Sequence, residues 1–146
     1  MPSRLPFLKG PIVSIEDDED DQFLLAQVVK KLGIANEVRF FTNGLVALQY
    51  FETTSEQPFL ILCDINLPIM NGLELRKRIN QSDYLRQKSI PFVFLTTAAS
   101  PDIIREAYRE SVQGFFQKAS DYVSYQNQIK LIFDYWQTSL HPNRFV

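Results

Sequence analysis

Cysteine and histidine are almost absent from this sequence, which holds one of each, Cys63 and His141. A single cysteine cannot close a disulfide within the chain, and this predicts a reducing, cytoplasmic location. Neither residue has a second His or Cys at ligand spacing, which argues against a zinc site. Cys63 ends the apolar run 59–63 and is predicted to be a buried strand residue, whereas His141 is predicted to lie on the surface.

The chain also lacks long apolar runs and an excess of positive charge. No apolar segment approaches the ~20 residues that a membrane helix needs. The net charge of −2 gives no broad basic surface for nucleic acid. Membrane and nucleic-acid partners are therefore disfavoured. The 146 residues are 45% hydrophobic, which is enough to build the core of one domain.

Short apolar segments alternate with segments of helical periodicity along the chain. The predicted strands cover residues 11–15, 36–41, 59–63, 90–95 and 114–117. The predicted helices follow them at about residues 20–32, 42–51, 73–79, 101–110 and 120–140. Because strands and helices alternate and the strands are largely apolar, the pattern predicts an α/β fold: a doubly wound parallel sheet with helices on both faces.

The polar residues at the strand ends are the candidates for chemistry. They are Glu16, Asp17 and Asp18 after the first strand, Asp64 after the third, Thr96 at the fourth and Lys118 after the fifth. Parallel strands share one carboxyl edge, so these side chains are expected to meet in a shallow pocket. Glu19, Asp20 and Asp21 are interpreted instead as the solvated start of a helix, and Asp18 is left open between the two interpretations.

Carboxylates crowded together without histidine or cysteine favour a hard divalent cation, Mg²⁺ or Mn²⁺. Mg²⁺ takes only a few protein oxygens and keeps other positions for water or phosphate oxygens. A metal ion, a lysine and a hydroxyl can together offset the charge of a phosphoryl group, and an aspartate can itself carry that group. The pocket therefore predicts phosphoryl chemistry centred on Asp64, whose charge directly follows an apolar strand.

Four motifs in order carry a family resemblance: "VSIEDD", "LILCDINLPIMNGLEL", "FVFLTT" and "GFFQK". The chain resembles the receiver domain of two-component response regulators from about residue 11 to residue 138. The resemblance implies a flavodoxin-like, CheY-like (βα)5 fold with strand order 2-1-3-4-5. It also implies an N-terminal extension at 1–10, a receiver domain at 11–140, a C-terminal tail at 141–146 and no output domain.

The resemblance also implies roles for the residues of the pocket. Asp64 is expected to be the phosphoacceptor and, with Asp17 and the backbone carbonyl of Asn66, a ligand of Mg²⁺ or Mn²⁺. Glu16 is expected to act on the metal through water.

Three further residues are expected to contact the phosphoryl group or to switch with it. Lys118 would contact the phosphoryl oxygens, Thr96 would hydrogen-bond them, and Phe115 holds the position of the family's rotating aromatic residue. The sequence departs from the family at Ala119, where a proline is usual after the lysine. Phe115 also lacks the hydroxyl of the usual tyrosine.

The function expected from these residues is that of a single-domain response regulator, a phosphorylation switch and not an enzyme. A histidine kinase or a phosphotransfer protein would phosphorylate Asp64 in a Mg²⁺-dependent reaction. Two alternatives stay open. One is a receiver-like module that binds partners without phosphorylation. The other is a Mg²⁺-dependent phosphatase with an Asp nucleophile, which Asn66 disfavours because such enzymes carry a second Asp there.

The last predicted helix has more apolar residues than one core-facing stripe requires. Leu131 and Tyr135 are expected to stay partly exposed on it. Exposed apolar surface of this kind marks contacts. The output is therefore expected through a face made of the fourth helix, the fifth strand and the fifth helix, by contact with a downstream protein or in a homodimer.

Overall fold

The computed structural model describes residues 10–145, so most of the predicted N-terminal extension lies outside the described residues. A five-stranded parallel sheet with strand order β2-β1-β3-β4-β5 forms its centre. The predicted fold class and strand order are confirmed. The strands are β1 (Ile12–Ile15), β2 (Val38–Phe41), β3 (Leu60–Cys63), β4 (Phe92–Thr96) and β5 (Gly114–Gln117).

Six α-helices flank the sheet in the described part of the chain, one more than predicted. They are α1 (Glu19–Lys31), α2 (Gly44–Thr53), α3 (Gly72–Gln81), α4 (Asp83–Lys88), α5 (Pro101–Arg109) and α6 (Tyr122–Thr138). The extra helix is the short α4. It arises because Ser82 both ends α3 and begins α4, where its hydroxyl accepts a hydrogen bond from the Leu85 backbone N–H at 3.2 Å.

Every helix begins at a side chain that caps a free backbone N–H group. The capping residues are Asp18, Asn43, Asn71, Ser82, Ser100 and Asp121. Gly33 follows Leu32, the C-cap residue of α1, with a φ of 72°, a left-handed conformation that glycine adopts without strain. These local preferences agree with the predicted alternation of strands and helices and fix where each loop begins.

The sheet is buried on both faces, as expected for parallel strands. One core contains Ile15, Cys63 and Phe94, which are neighbours in the strand register, and packs under α2, α3, α4 and α5. The other contains Leu62 and Leu95 and packs under α1 and α6. Cys63 is 1% exposed, which confirms its assignment as a buried strand residue.

His141 lies in the interior, and its predicted surface position is wrong. Its ring stacks on Phe59 with centroids 4.6 Å apart. Its Nε2 donates to the Phe59 carbonyl oxygen at 2.6 Å, and its Nδ1 accepts from the Asn143 backbone N–H at 2.9 Å. The chain after α6 turns back through the 3-10 helix Pro142–Phe145, and this turn places the ring beneath the start of β3. Within residues 10–145 no helix is long and apolar enough to cross a membrane.

Candidate functional site

Four of the predicted site residues meet at the carboxyl edge of the sheet. The Lys118 ammonium lies 2.6 Å from Glu16 Oε1 and 3.6 Å from Asp64 Oδ2. The Thr96 hydroxyl donates to Asp64 Oδ1 at 2.5 Å. Each of these groups lies at or just after the last residue of one strand: β1, β3, β4 or β5. They meet because the four strands are parallel and end at the same edge of the sheet.

The Asp64 carboxylate is held by one oxygen and open at the other. Oδ1 accepts from Thr96 and from the Ile65 backbone N–H at 2.7 Å. Oδ2 faces Lys118, and the whole side chain is 13% exposed. Gly72 packs so closely that an added Cβ would lie 2.2 Å from the Asp64 carbonyl oxygen, so only glycine fits there. The carboxylate is thus fixed in position with one oxygen available.

Lys118 is the cation that offsets the charge of this cluster. Burial opposes its charge, but hydrogen bonds to Glu16 and to Asp21 outweigh burial and raise its pKa. The contact with Asp21 Oδ2 is 2.9 Å long, so Asp21 belongs to the cluster and is not merely a solvated residue at the start of α1. The first turn of α1 directly follows the end of β1, and that spacing is the feature of the sequence that places Asp21 here.

Glu16 is the most deeply buried carboxylate of the cluster, at 6% exposed. Burial raises its pKa, and the nearby Lys118 opposes that shift. Its Oε2 accepts from the Asp18 backbone N–H at 3.1 Å. Asp18 itself caps α1 by accepting from the Asp21 backbone N–H at 3.0 Å, so the question left open for Asp18 is answered in favour of helix capping.

Asp17, Asn66 and Phe115 lie around the cluster without joining its hydrogen bonds. Asp17 is exposed between Glu16 and the start of α1. Asn66 is exposed two residues beyond Asp64. The ring of Phe115 is half-buried and packs on Phe94, with centroids 5.7 Å apart.

The donor set at this edge suits a hard cation. Across residues 10–145, no three His, Cys, Asp or Glu side chains form a ready-made metal site. Mg²⁺ does not require such a cage, because it binds through one or two carboxylates and retains water. The expected ligands, Asp17, Asp64 and the Asn66 backbone carbonyl, would offer only oxygen atoms, the donor type that Mg²⁺ and Mn²⁺ prefer.

The loop after Lys118 contains no proline directly after the lysine and is held by hydrogen bonds with Gln128. The Ala119 backbone N–H donates to Gln128 Oε1 at 3.0 Å, and Gln128 Nε2 donates to the Gln117 carbonyl oxygen at 2.7 Å. The Lys118 backbone N–H donates to the Thr96 carbonyl oxygen at 2.9 Å. The described part of the chain contains no cis peptide bond. Gln128 of α6 therefore holds the backbone on both sides of Lys118.

Comparison with known families agrees with this geometry. Residues 12–130 match the model of the response regulator receiver domain. The chain belongs to the response regulator receiver family. Its residues therefore act in a signalling module of two-component systems, and the match lies within the 11–140 range predicted for the domain.

Individual receivers are similar over most of their length. Response regulator Rcp1 from Synechocystis sp. is 30% identical over 130 residues, which cover 86% of this chain and 87% of that protein. A crystal structure of the phosphorylated cyanobacterial phytochrome response regulator RcpA superposes with a TM-score of 0.80 at 26% identity, covering 88% of this chain and 94% of that one. The Mn²⁺-bound form of Rcp1 superposes with a TM-score of 0.78 at 27% identity, covering 90% and 96%.

Proposed function

We propose that this receiver accepts a phosphoryl group on Asp64 from a phosphohistidine donor. The observation that carries the proposal is the Asp64 carboxylate itself, fixed through Oδ1 by Thr96 and Ile65 while Oδ2 faces Lys118. In the transfer, the donor's N–P bond breaks, an O–P bond forms at Asp64 Oδ2, and the leaving imidazole takes up a proton. Lys118 offsets the added charge on the phosphoryl oxygens.

The proposal includes a divalent metal, Mg²⁺ or Mn²⁺, held by Asp17, Asp64 and the Asn66 carbonyl, with Glu16 acting through water. When bound, the metal supplies positive charge beside the phosphoryl oxygens. The all-oxygen donor set supports it, as does the Mn²⁺ in the structure of Rcp1, a receiver 27% identical to this chain.

Acetyl phosphate with and without Mg²⁺ tests the proposal. Intact mass spectrometry should find one added phosphoryl group, labile in base, only when the metal is present. Asp64→Asn should abolish it completely, whereas Asp20→Asn, which removes an exposed acid from α1, should leave it intact. A base-stable adduct on Ser or Thr would refute the scheme. Absence of any adduct would favour a module that binds partners without phosphorylation.

A histidine kinase or a phosphotransfer protein is the proposed donor in the cell, and the cytoplasm is the proposed location. RcpA, whose structure is similar to this one, is a phytochrome response regulator. Phytochrome-type kinases of the organism that this chain comes from are therefore the first donors to test.

The proposed output is by protein contact through α5, β5 and α6. Because α4 is an extra helix, α5 and α6 are the helices predicted as the fourth and fifth. A groove of about 350 Å³ on this face is bordered by Phe115 and by Leu131 and Tyr135. Leu131 is 60% exposed and Tyr135 is 62% exposed. Phosphorylation would draw the Thr96 hydroxyl from Asp64 to the phosphoryl group and so change the space beside Phe115. Light scattering with and without beryllofluoride, a mimic of the phosphoryl group, should detect a dimer if the occupant is a second copy.

A further inference from the structure

A cavity of about 660 Å³ opens at the amino edge of the sheet, opposite the Asp64 cluster. Ile61 of β3 and Pro91, directly before β4, are among the residues that line it. Sites for small organic molecules usually measure roughly 300–1,000 Å³, so the cavity has the size of such a site. The phosphorylation proposed for Asp64 makes no use of this part of the molecule.

Two segments outside the five strand–helix units form part of the cavity wall. Leu85 and Arg86 belong to the extra helix α4, and Pro142 belongs to the 3-10 helix after α6. The buried ring of His141, next to Pro142, holds that last turn in place. The cavity therefore depends on the segments that this chain adds to the alternating pattern of strands and helices.

Arg76 of α3 brings a buried positive charge to the cavity wall. The residue is 8% exposed. Its Nε donates to the Glu110 carbonyl oxygen at 3.0 Å and its Nη2 to the Ser111 carbonyl oxygen at 2.9 Å, so one edge of the guanidinium is occupied. Its Nη1 has no hydrogen-bond partner within residues 10–145, but it is not sealed from solvent, since Arg76 lines the cavity. A guanidinium has five N–H donors, so donors remain free on that side.

The side chains that line the cavity carry positive charge. Arg86 is the second cation there, and in the described chain no Asp or Glu lines the cavity. The charge of Glu110 favours the charged form of Arg76, but no ion pair joins the two in residues 10–145, and Glu110 Oε1 accepts from Asn80 at 3.1 Å. Arg86 lies 3.6 Å from Asp83, on an exposed surface where water screens the pair. An anion in the cavity would complement both arginines.

We propose that this cavity binds a small organic anion, a carboxylate or a phosphate monoester with an apolar body. The head group would accept hydrogen bonds from the free N–H groups of Arg76 and lie near Arg86. The apolar body would pack on Ile79, Leu85 and Trp136, which line the same cavity. The inference does not depend on the proposed function, because the cavity lies at the edge of the sheet opposite the phosphorylation site.

Trp136 gives the cavity a built-in reporter. It is the only tryptophan of the chain. It lines the cavity and also the groove that Leu131 and Tyr135 border on the proposed output face. A ligand that packs on its ring would change the surroundings of the indole, so binding should be visible in the fluorescence of Trp136.

The test titrates the wild-type chain, without metal, with benzoate, phenyl phosphate and the neutral benzyl alcohol. At least one of the two anions should change the fluorescence of Trp136 saturably, and calorimetry should give the same dissociation constant. The anion that binds more tightly identifies the head group. Benzyl alcohol has the same ring without the charge and should bind at least tenfold more weakly, because it cannot form charge-assisted hydrogen bonds with the arginines.

Two variants and a matched control locate the site. Arg76→Lys keeps the charge but loses the planar fork and should weaken binding of the anion about tenfold. Arg86→Glu reverses a charge on a side chain that is 61% exposed and should weaken binding about fivefold without changing the fold. Arg105→Glu is the control. Arg105 is 62% exposed and also pairs with an acid three residues earlier, Asp102, but it does not line the cavity, so affinity should stay within twofold.

Absence of saturable binding by both anions would overturn the proposal. Equal affinity for benzyl alcohol would do the same, and so would equal losses in Arg86→Glu and Arg105→Glu. Urea midpoints show whether Arg76→Lys folds normally. If it does not, the comparison of Arg86→Glu with Arg105→Glu decides alone, because both change only exposed side chains.

Discussion

The two ends of the sheet each hold a cation between carboxylates, and the two clusters differ mainly in burial. At the carboxyl edge, Lys118 contacts Glu16 at 2.6 Å and Asp21 at 2.9 Å, with the lysine 11% exposed. Near the amino edge, Arg39 contacts Glu37 and Glu56, each at 2.6 Å, and is 35% exposed. Similar pairings therefore occur in an environment largely closed to water and in one open to it.

The comparison teaches that contact distance alone does not decide what an ion pair does. Water screens the charges of the Arg39 cluster, so its ion pairs contribute little to the free energy of unfolding, and contacts with water can replace them. The Lys118 cluster has lost most of its hydration, so each charge there depends on its partners. A group held in this way responds strongly when a metal ion or a phosphoryl group arrives, and this dependence suits a switch.

Removing each cation should give the largest contrast. Lys118→Met leaves Glu16 and Asp64 without their cation and should lower the free energy of unfolding by about 3 kcal/mol or more, the scale of a broken buried pair. Arg39→Met should cost less than about 1 kcal/mol because water replaces the lost contacts. Urea denaturation without metal measures both, and added Mg²⁺ should restore stability to the lysine variant alone. Equal losses in the two variants would contradict the role assigned to burial.

The amino edge should owe its stability to neutral contacts rather than to its ion pairs. His141→Ala removes a fully buried ring that stacks on Phe59 and hydrogen-bonds the Phe59 carbonyl oxygen. The loss should be about 2–4 kcal/mol in urea denaturation, with phosphorylation of Asp64 unchanged. The neighbouring Leu140→Ala, at a residue 79% exposed, is the control and should change stability by less than about 0.5 kcal/mol. An unaltered midpoint for His141→Ala would contradict the stabilising role assigned to the buried ring.

The position of His141 does not follow from the sequence, whereas most of the fold does. The strands were predictable because each is a short apolar run, and the residues at their ends followed from the parallel sheet. The spacing from β1 brings the first turn of α1 to this edge, but the packing of α1 decides that Asp21, rather than Glu19 or Asp20, faces Lys118. The buried position of His141 depends on how the chain folds back after α6. Contacts between residues 82 positions apart, such as His141 with Phe59, leave no local pattern in the sequence.

Mg²⁺ affinity distinguishes a ligand from a nearby charge at the carboxyl edge. Asp17→Asn should weaken Mg²⁺ binding about tenfold, or ~1.4 kcal/mol, because it removes a proposed charged ligand. Asp20→Asn removes the same charge from the exposed first turn of α1 and should change affinity less than about twofold, since screened charges act weakly at a distance. Isothermal titration calorimetry measures both. Equal effects would mean that the metal responds to the general acidity of this edge and not to Asp17 as a ligand.

The smallest expected effect is a pH dependence at the Arg39 cluster. Hydrogen bonds from Arg39 and Tyr50 lower the pKa of Glu56 below its ordinary value of 4.5. A carboxylate with a lowered folded-state pKa stabilises the protein fully above its unfolded pKa, and this contribution disappears as the pH falls through the folded-state pKa. The stability difference between wild type and Glu56→Gln should therefore be constant above about pH 5.5 and shrink below about pH 4.5. The stability difference should be a few tenths of a kcal/mol, as for other exposed pairs.

Tyr50→Phe removes one of the two donors to Glu56 and should reduce the pH dependence without eliminating it, because Arg39 remains. Urea midpoints measured from pH 3.5 to 7 test this. A difference that grows towards acid pH would mean that burial raises the Glu56 pKa, as it raises that of Glu16, and outweighs the hydrogen bonds to Glu56.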